Sequence, residues 1–164
     1  MNVIKLLRND HRRALSLIEL IENDSDEAAS RTRVKLFDEL KAALSLHAKV
    51  EERIFYPALE KFDETRGLVN EFYSEHQEAD RILAKMESRK NGSLSGAWQN
   101  QLHELKRSIE HHINEEENRL FLQAEKLLDK ERLSEMFFES ERIKSDQSET
   151  DSLIYPADRF GVKH

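Results

Sequence analysis

Three residues that can bind a metal, His11, His47 and Glu51, recur 65 positions later as His76, His112 and Glu116. Asp10 before His11 becomes Glu75 before His76, and the apolar positions keep the same register: Leu7 with Phe72, Ile18 with Leu83, Phe37 with Leu102, Leu40 with Leu105, Leu44 with Ile109. This is an internal repeat. It demands a fold in which two like halves each deliver two histidines and one glutamate, and in each half the second histidine and the glutamate stand four residues apart.

That spacing is helical, since residues i and i+4 project from one face. The 164 residues include only four Gly and two Pro, with 36% charged and 38% apolar residues, a composition suited to long amphipathic helices. Residues 2–22 read as a first helix, with His11 on the stripe of Leu7, Ala14 and Ile18 and Asn2 as its cap. Residues 27–62 read as a second, with Phe37, Leu40, Leu44, His47, Glu51, Ile54, Phe55 and Ala58 inward and a kink expected at Pro57. Residues 65–90 form a third, with Leu68, Val69, Phe72, His76, Ala79, Asp80, Leu83 and Met86 on its inner stripe, and Asn91-Gly92 ends it. Residues 94–128 form a fourth, with Trp98, Leu102, Leu105, Ile109, His112, Glu116, Leu120 and Gln123 inward. A short fifth segment at 131–143 covers the bundle, and 144–164 reads as a polar tail. The expected fold is all-α: an antiparallel up-down-up-down four-helix bundle over 1–128, with a short C-terminal helix and tail over 129–164. Counting from the helix ends at about 1.5 Å per residue, the four histidines can share one layer.

Four imidazoles and two carboxylates aimed into a bundle are costly to bury unless each polar atom finds a partner. Two cations remove that cost, with two histidines to each ion and both glutamates bridging. Imidazole suits iron, zinc and copper, and carboxylates suit harder ions. One such histidine is more often an ordinary core residue, and one such pair is often only a surface feature; the joint pattern of six residues carries the reading. Glu52, Glu115 and Glu117, which flank the bridging positions, read as solvated face. Phe55, Phe72 and Tyr73 lie within a turn of the ligands and read mainly as packing. His103 and His111 fall off the ligand layer.

The chain contains no cysteine, so disulfides, iron–sulfur clusters and thiol catalysis are excluded. A net charge of −7 argues against nucleic acid as a partner. Residues 1–13 lack the apolar core of a signal peptide, and no later run suits a membrane span, so a cytoplasmic protein without membrane contact is expected.

Taken together, Asp10-His11, His47-Ala-Lys-Val-Glu51-Glu52-Arg-Ile-Phe-Tyr-Pro57, Glu75-His76 and His112-Ile-Asn-Glu-Glu116-Glu117-Asn-Arg-Leu-Phe121 resemble the hemerythrin-like (HHE cation-binding) domains over about residues 1–128. The resemblance implies a four-helix bundle and a non-haem di-iron centre, oxo- or hydroxo-bridged, with His11, His47, His76 and His112 as terminal ligands and Glu51 and Glu116 as bridges. It departs from the oxygen carriers at Asp80, where they place a fifth histidine one turn after the third-helix ligand. Asp80, whose repeat counterpart is Leu15, either adds a ligand, bonds a ligand histidine or points to solvent. The implied functions are binding or sensing of oxygen, nitric oxide, peroxide or iron. The alternatives are peroxide decomposition and a structural metal-binding helical module. The chain is expected to be a monomer or a homodimer.

Overall fold

The computed structural model describes residues 1–24, 30–90 and 96–154. Among them every regular element is helical. Helix α1 spans Val3–Asn23 and is capped as expected, the Asn2 side chain accepting the Lys5 N–H at 3.0 Å. Helix α2 (Ser30–Val50) runs through a π-helical turn (Glu51–Phe55) into the short α3 (Tyr56–Leu59). Helix α4 is Asp63–Arg89, and α5 (Gly96–Glu115) runs through a second π turn (Glu116–Leu120) into α6 (Phe121–Leu127). Helix α7 is Lys130–Ile154. The Asn91-Gly92 break expected after the third helix, and residues 155–164 of the expected tail, lie outside the described residues.

The two π turns are the first departure from the sequence reading. In each, an N–H bonds five residues back instead of four: Tyr56 to the Glu51 carbonyl, Phe121 to the Glu116 carbonyl. One extra residue per turn rotates the following face by about 100°. The inward positions therefore move on by one. Tyr56 and Leu59 are buried where Ala58 was expected, and Phe121 and Ala124 are buried where Gln123 was expected. Pro57 is not the cause, because the second half has the same turn with Leu122 at the equivalent place. Pro57 sits in the first turn of α3, where a missing N–H is tolerated.

The apolar residues form two clusters, one on each side of a polar layer. One contains Leu6, Leu7, Phe55, Phe72, Leu120 and Phe121. The other contains Ile18, Phe37, Leu40, Leu83, Met86 and Trp98, whose indole donates to the Met86 carbonyl at 3.3 Å. His11 lies between Leu7 and Ala14, and His112 between Ile109 and Leu120, so each helix passes from one cluster through the layer to the other. Helix α1 packs on α2, and α4 on α5, which makes two like pairs.

The C-terminal helix is 25 residues long, not a short segment ending near 143. No Gly or Pro interrupts 130–155, and Pro156 is the first breaker. Its Leu133 and Met136 enter the first apolar cluster, and it touches α1, α2 and the first π turn. Among the described residues no helix is long and apolar enough to cross a membrane.

Candidate metal centre

All six residues singled out by the repeat meet in the polar layer. Their ligand atoms fall into two groups: His11, His47, Glu51 and Glu116 in one, Glu51, His76 and His112 in the other. Glu51 belongs to both. Both glutamates are fully buried, at 0% exposure, and His11, His47 and His112 are at most 9% exposed. The rings pair as the helices do, His11 with His47 at 4.8 Å and His76 with His112 at 4.9 Å between centroids.

Each histidine points Nε2 inward. His11 Nε2 is 3.0 Å from Glu116 Oε1, while His47 and His76 Nε2 are 3.2 and 3.1 Å from Glu51 Oε1. His112 Nε2 lies farther out, 3.6 Å from Glu116 Oε2. Two ligands about 2.1 Å from one ion and at right angles to each other stand about 3.0 Å apart. The separations therefore suit atoms sharing an ion.

The donor set passes a second test. His11, His47 and His112 Nε2, Glu51 Oε2 and Glu116 Oε1 are buried and make no well-aligned hydrogen bond, although the three nitrogens lie 3.0–3.6 Å from carboxylate oxygens. An unsatisfied buried polar atom costs about 1–3 kcal/mol. Cations accepting these lone pairs remove the cost, so the residues present fit a metal pair.

The Nδ1 atoms point outward, each to a carboxylate. His11 bonds Glu117 at 2.7 Å, His47 bonds Asp10 at 3.1 Å, His76 bonds Glu52 at 2.7 Å and His112 bonds Glu75 at 2.7 Å. A carboxylate here holds a proton on Nδ1 and leaves Nε2 for the ion. These four obey the repeat as well: Asp10 matches Glu75, and Glu52 matches Glu117. The reading of Glu52 and Glu117 as solvated face is thereby corrected. Each reaches a histidine on another helix, which a single helix wheel does not show. Glu115 is half-buried and pairs with Arg119 at 2.9 Å. Glu52→Gln and Glu117→Gln are expected to weaken metal affinity by about 10- to 100-fold in chelator competition, with Glu115→Gln unchanged.

Sequence reasoning missed Tyr56. Its hydroxyl lies 2.5 Å from Glu116 Oε2, 3.1 Å from Glu51 Oε1 and 3.4 Å from His76 Nε2. A phenol has one proton, and the shortest contact assigns it to Glu116. Burial, then the charges of Glu116 and Glu51, hold this hydroxyl well above the usual phenol range, so it stays protonated. Its repeat counterpart, Phe121, stacks on His11 at 5.8 Å and has no hydroxyl to offer. That break in the repeat was the available signal. Tyr73 packs edge-on against the Tyr56 ring at 5.3 Å, one shell farther out. Phe55 and Phe72 are core residues, as expected.

The charges are unevenly shared without a metal. Burial alone would depress the His47 imidazolium, but the Glu51 charge and the bonds to Asp10 and Glu51 outweigh it and raise its pKa to about 10. His76 also rises to about 10, through Glu51 and Glu52 against its burial. Glu51 is held well below the usual carboxylate range: burial raises it, but the charge and bond of His47 prevail. Burial and the neighbouring Glu51 charge push Glu116 upward.

A cavity of about 50 Å³ lies over the layer on the side away from Tyr56, against the four histidines and Ala14, Leu83 and Ile109. Asp80 is exposed, lines its rim and belongs to neither ligand group. His103 and His111 are on the surface, as expected, and His111 Nε2 is 3.4 Å from Glu75.

No solved structure matches the chain. A protein of Nostoc sp. strain PCC 7120 named as a DNA nickase is 23% identical over 145 residues, which cover 88% of this chain and 40% of that protein. The chain thus spans less than half the length of that relative. The family description "Hemerythrin HHE cation binding domain" matches residues 2–124. With matched histidines, glutamates and outer carboxylates converging between two apolar clusters, the chain belongs to the hemerythrin HHE cation-binding domain family.

Proposed function

We propose that this chain is a non-haem di-iron protein whose centre binds a small oxidant or diatomic ligand, oxygen, nitric oxide or peroxide, and so senses that ligand or iron itself. The observation that carries the reading is the pair of ligand groups sharing Glu51, with five buried atoms that make no well-aligned hydrogen bond. In this reading the four long helical segments run up-down-up-down, which sets the histidines of both halves at one height. His11, His47, His76 and His112 are terminal ligands and Glu51 and Glu116 are bridges. The iron pair, when bound, supplies redox chemistry and coordination positions for the small ligand. The chain supplies the rest: Nδ1 carboxylates that orient the imidazoles, the Tyr56 proton held at Glu116, and an apolar cavity of about 50 Å³ that admits a diatomic molecule and no organic substrate. A nucleic-acid role is not part of the proposal, because a net charge of −7 opposes a polyanion.

Metal analysis and an absorption spectrum of aerobically purified protein test the reading. About two irons per chain with a near-ultraviolet oxo-bridge band, perturbed by one of the three ligands, are expected. Protein that takes up no iron sinks it. Tyr56 favours a second reading, peroxide decomposition, since a buried phenol beside the centre is a ready proton donor. Sustained oxygen release from peroxide by the iron-loaded protein selects it over binding alone.

A further inference from the structure

The cavity over the histidines reaches the surface beside Asp80. Among its lining residues only Asp80 is exposed. A second hollow, of about 250 Å³, lies on the surface between α2, the first π turn and α4, and it is lined by Ser45, Ala48, Lys49, Glu52, Arg53 and Asp80. Ala48 and Asp80 line both. They stand where an outer groove passes into an inner chamber, and buried His11, His47 and His112 Nε2 atoms without well-aligned hydrogen bonds lie at the chamber's inner end.

The internal repeat supplies a built-in comparison. The counterpart of Ala48 is Ile113 and that of Asp80 is Leu15. Both are half-buried and pack against the second apolar cluster. Where one half carries a methyl group and a carboxylate, the other carries two branched apolar side chains, of which Ile113 lines the same cavity. The pairs that bind and orient the metal obey the repeat, while this pair breaks it.

We infer that Ala48 and Asp80 form the entrance through which a divalent metal ion passes from solvent to the buried histidines. The inference rests on the metal-centre reading above. A hydrated cation must shed water on the way in, and a carboxylate at the threshold replaces a lost water with an oxygen ligand. Leucine offers none. The charges around the passage suit this role. Glu52 stands in the groove with Asp80; Lys49 also lines it, with its ammonium bonded to Gln147 of α7, and Lys41, whose charge reaches Asp80, pairs with Glu87. Arg53 is the cation left facing the groove, at its exposed outer part.

The test copies one half of the chain onto the other. Metal-free wild type, Asp80→Asn and the double variant Ala48→Ile/Asp80→Leu are mixed with cobalt(II) in a stopped-flow absorbance experiment, and the loaded proteins are then challenged with a chelator. Uptake and removal are expected to slow by about tenfold or more in the double variant and by less in Asp80→Asn, with final cobalt content and affinity unchanged. Adding Leu15→Asp and Ile113→Ala to the double variant moves the methyl group and the carboxylate to the other half and restores the rates. Unchanged rates overturn the entrance. Lower cobalt content or affinity in Asp80→Asn also overturns it and makes Asp80 a ligand. Failure of wild type to bind cobalt at all is a distinct result, which removes the metal centre and the entrance with it.

Discussion

Glu51→Ala is expected to empty both metal positions at once. Glu51 is the residue common to the two ligand groups, with Oε1 3.2 Å from His47 Nε2 and 3.1 Å from His76 Nε2. Its other oxygen has no partner within the protein. Removing it takes a ligand from each ion and also strips two buried imidazoliums of their main counter-charge. Breaking a buried ion pair by deleting one side costs about 3–5 kcal/mol. At about 2–4 °C per kcal/mol for a chain of this size, the metal-free variant should melt on the order of 10 °C below metal-free wild type. The variant should retain no iron after gel filtration and show no near-ultraviolet band. Glu51→Gln separates charge from volume: it fills the same space without the charge, so it should fold better yet still fail to hold two ions. Glu116→Ala should be milder in the metal-free state, because burial and Glu51 already push Glu116 towards its neutral form. Full iron content in Glu51→Ala would remove the basis for the shared-carboxylate centre.

The ligand set was legible because it is written twice. A lone His-x-x-x-Glu says little, but the recurrence of His11, His47 and Glu51 at a fixed offset selects six residues from seven histidines and many more carboxylates. Helix positions followed from stripes such as Phe37, Leu40 and Leu44. What stayed hidden has three physical causes. The π turns leave no composition signal, and they re-phase everything after Glu51 and Glu116, which is why an uninterrupted helical stripe leaves Tyr56 out. The roles of Glu52 and Glu117 depend on contacts between helices, whereas a periodicity argument sees one helix at a time. The length of α7 was underestimated because its later turns are polar. Polar residues continue a helix as readily as apolar ones, and Lys144 is in fact tied to the site, 2.7 Å from the Asp10 carboxylate that bonds His47.

Metal uptake should release about two protons per chain near neutral pH. Without metal, the pKa values of His47 and His76 are raised to about 10, so both imidazoles are cationic at pH 7–8, and their Nε2 protons occupy the side an ion must take. The consequence for stability has a definite sign. A group raised from about 6.5 in the unfolded chain to about 10 in the fold contributes fully below pH 6.5, and that contribution is lost as pH rises towards 10. Metal-free protein should therefore lose stability steadily between pH 6.5 and 10. Metal affinity moves the opposite way, rising by about 100-fold per pH unit across the same window, because two protons are displaced. Loaded protein should show little of this slope, since ions have replaced the protons. Calorimetric titration of metal-free protein with a divalent ion, in two buffers of different ionisation enthalpy, counts the protons directly. Asp10→Asn removes one of the bonds that raise His47, so it should lower the count at pH 8 and shift the loss of stability to lower pH. A titration that releases no protons would mean that His47 and His76 are neutral in the metal-free fold, and that Glu51 is not their counter-charge.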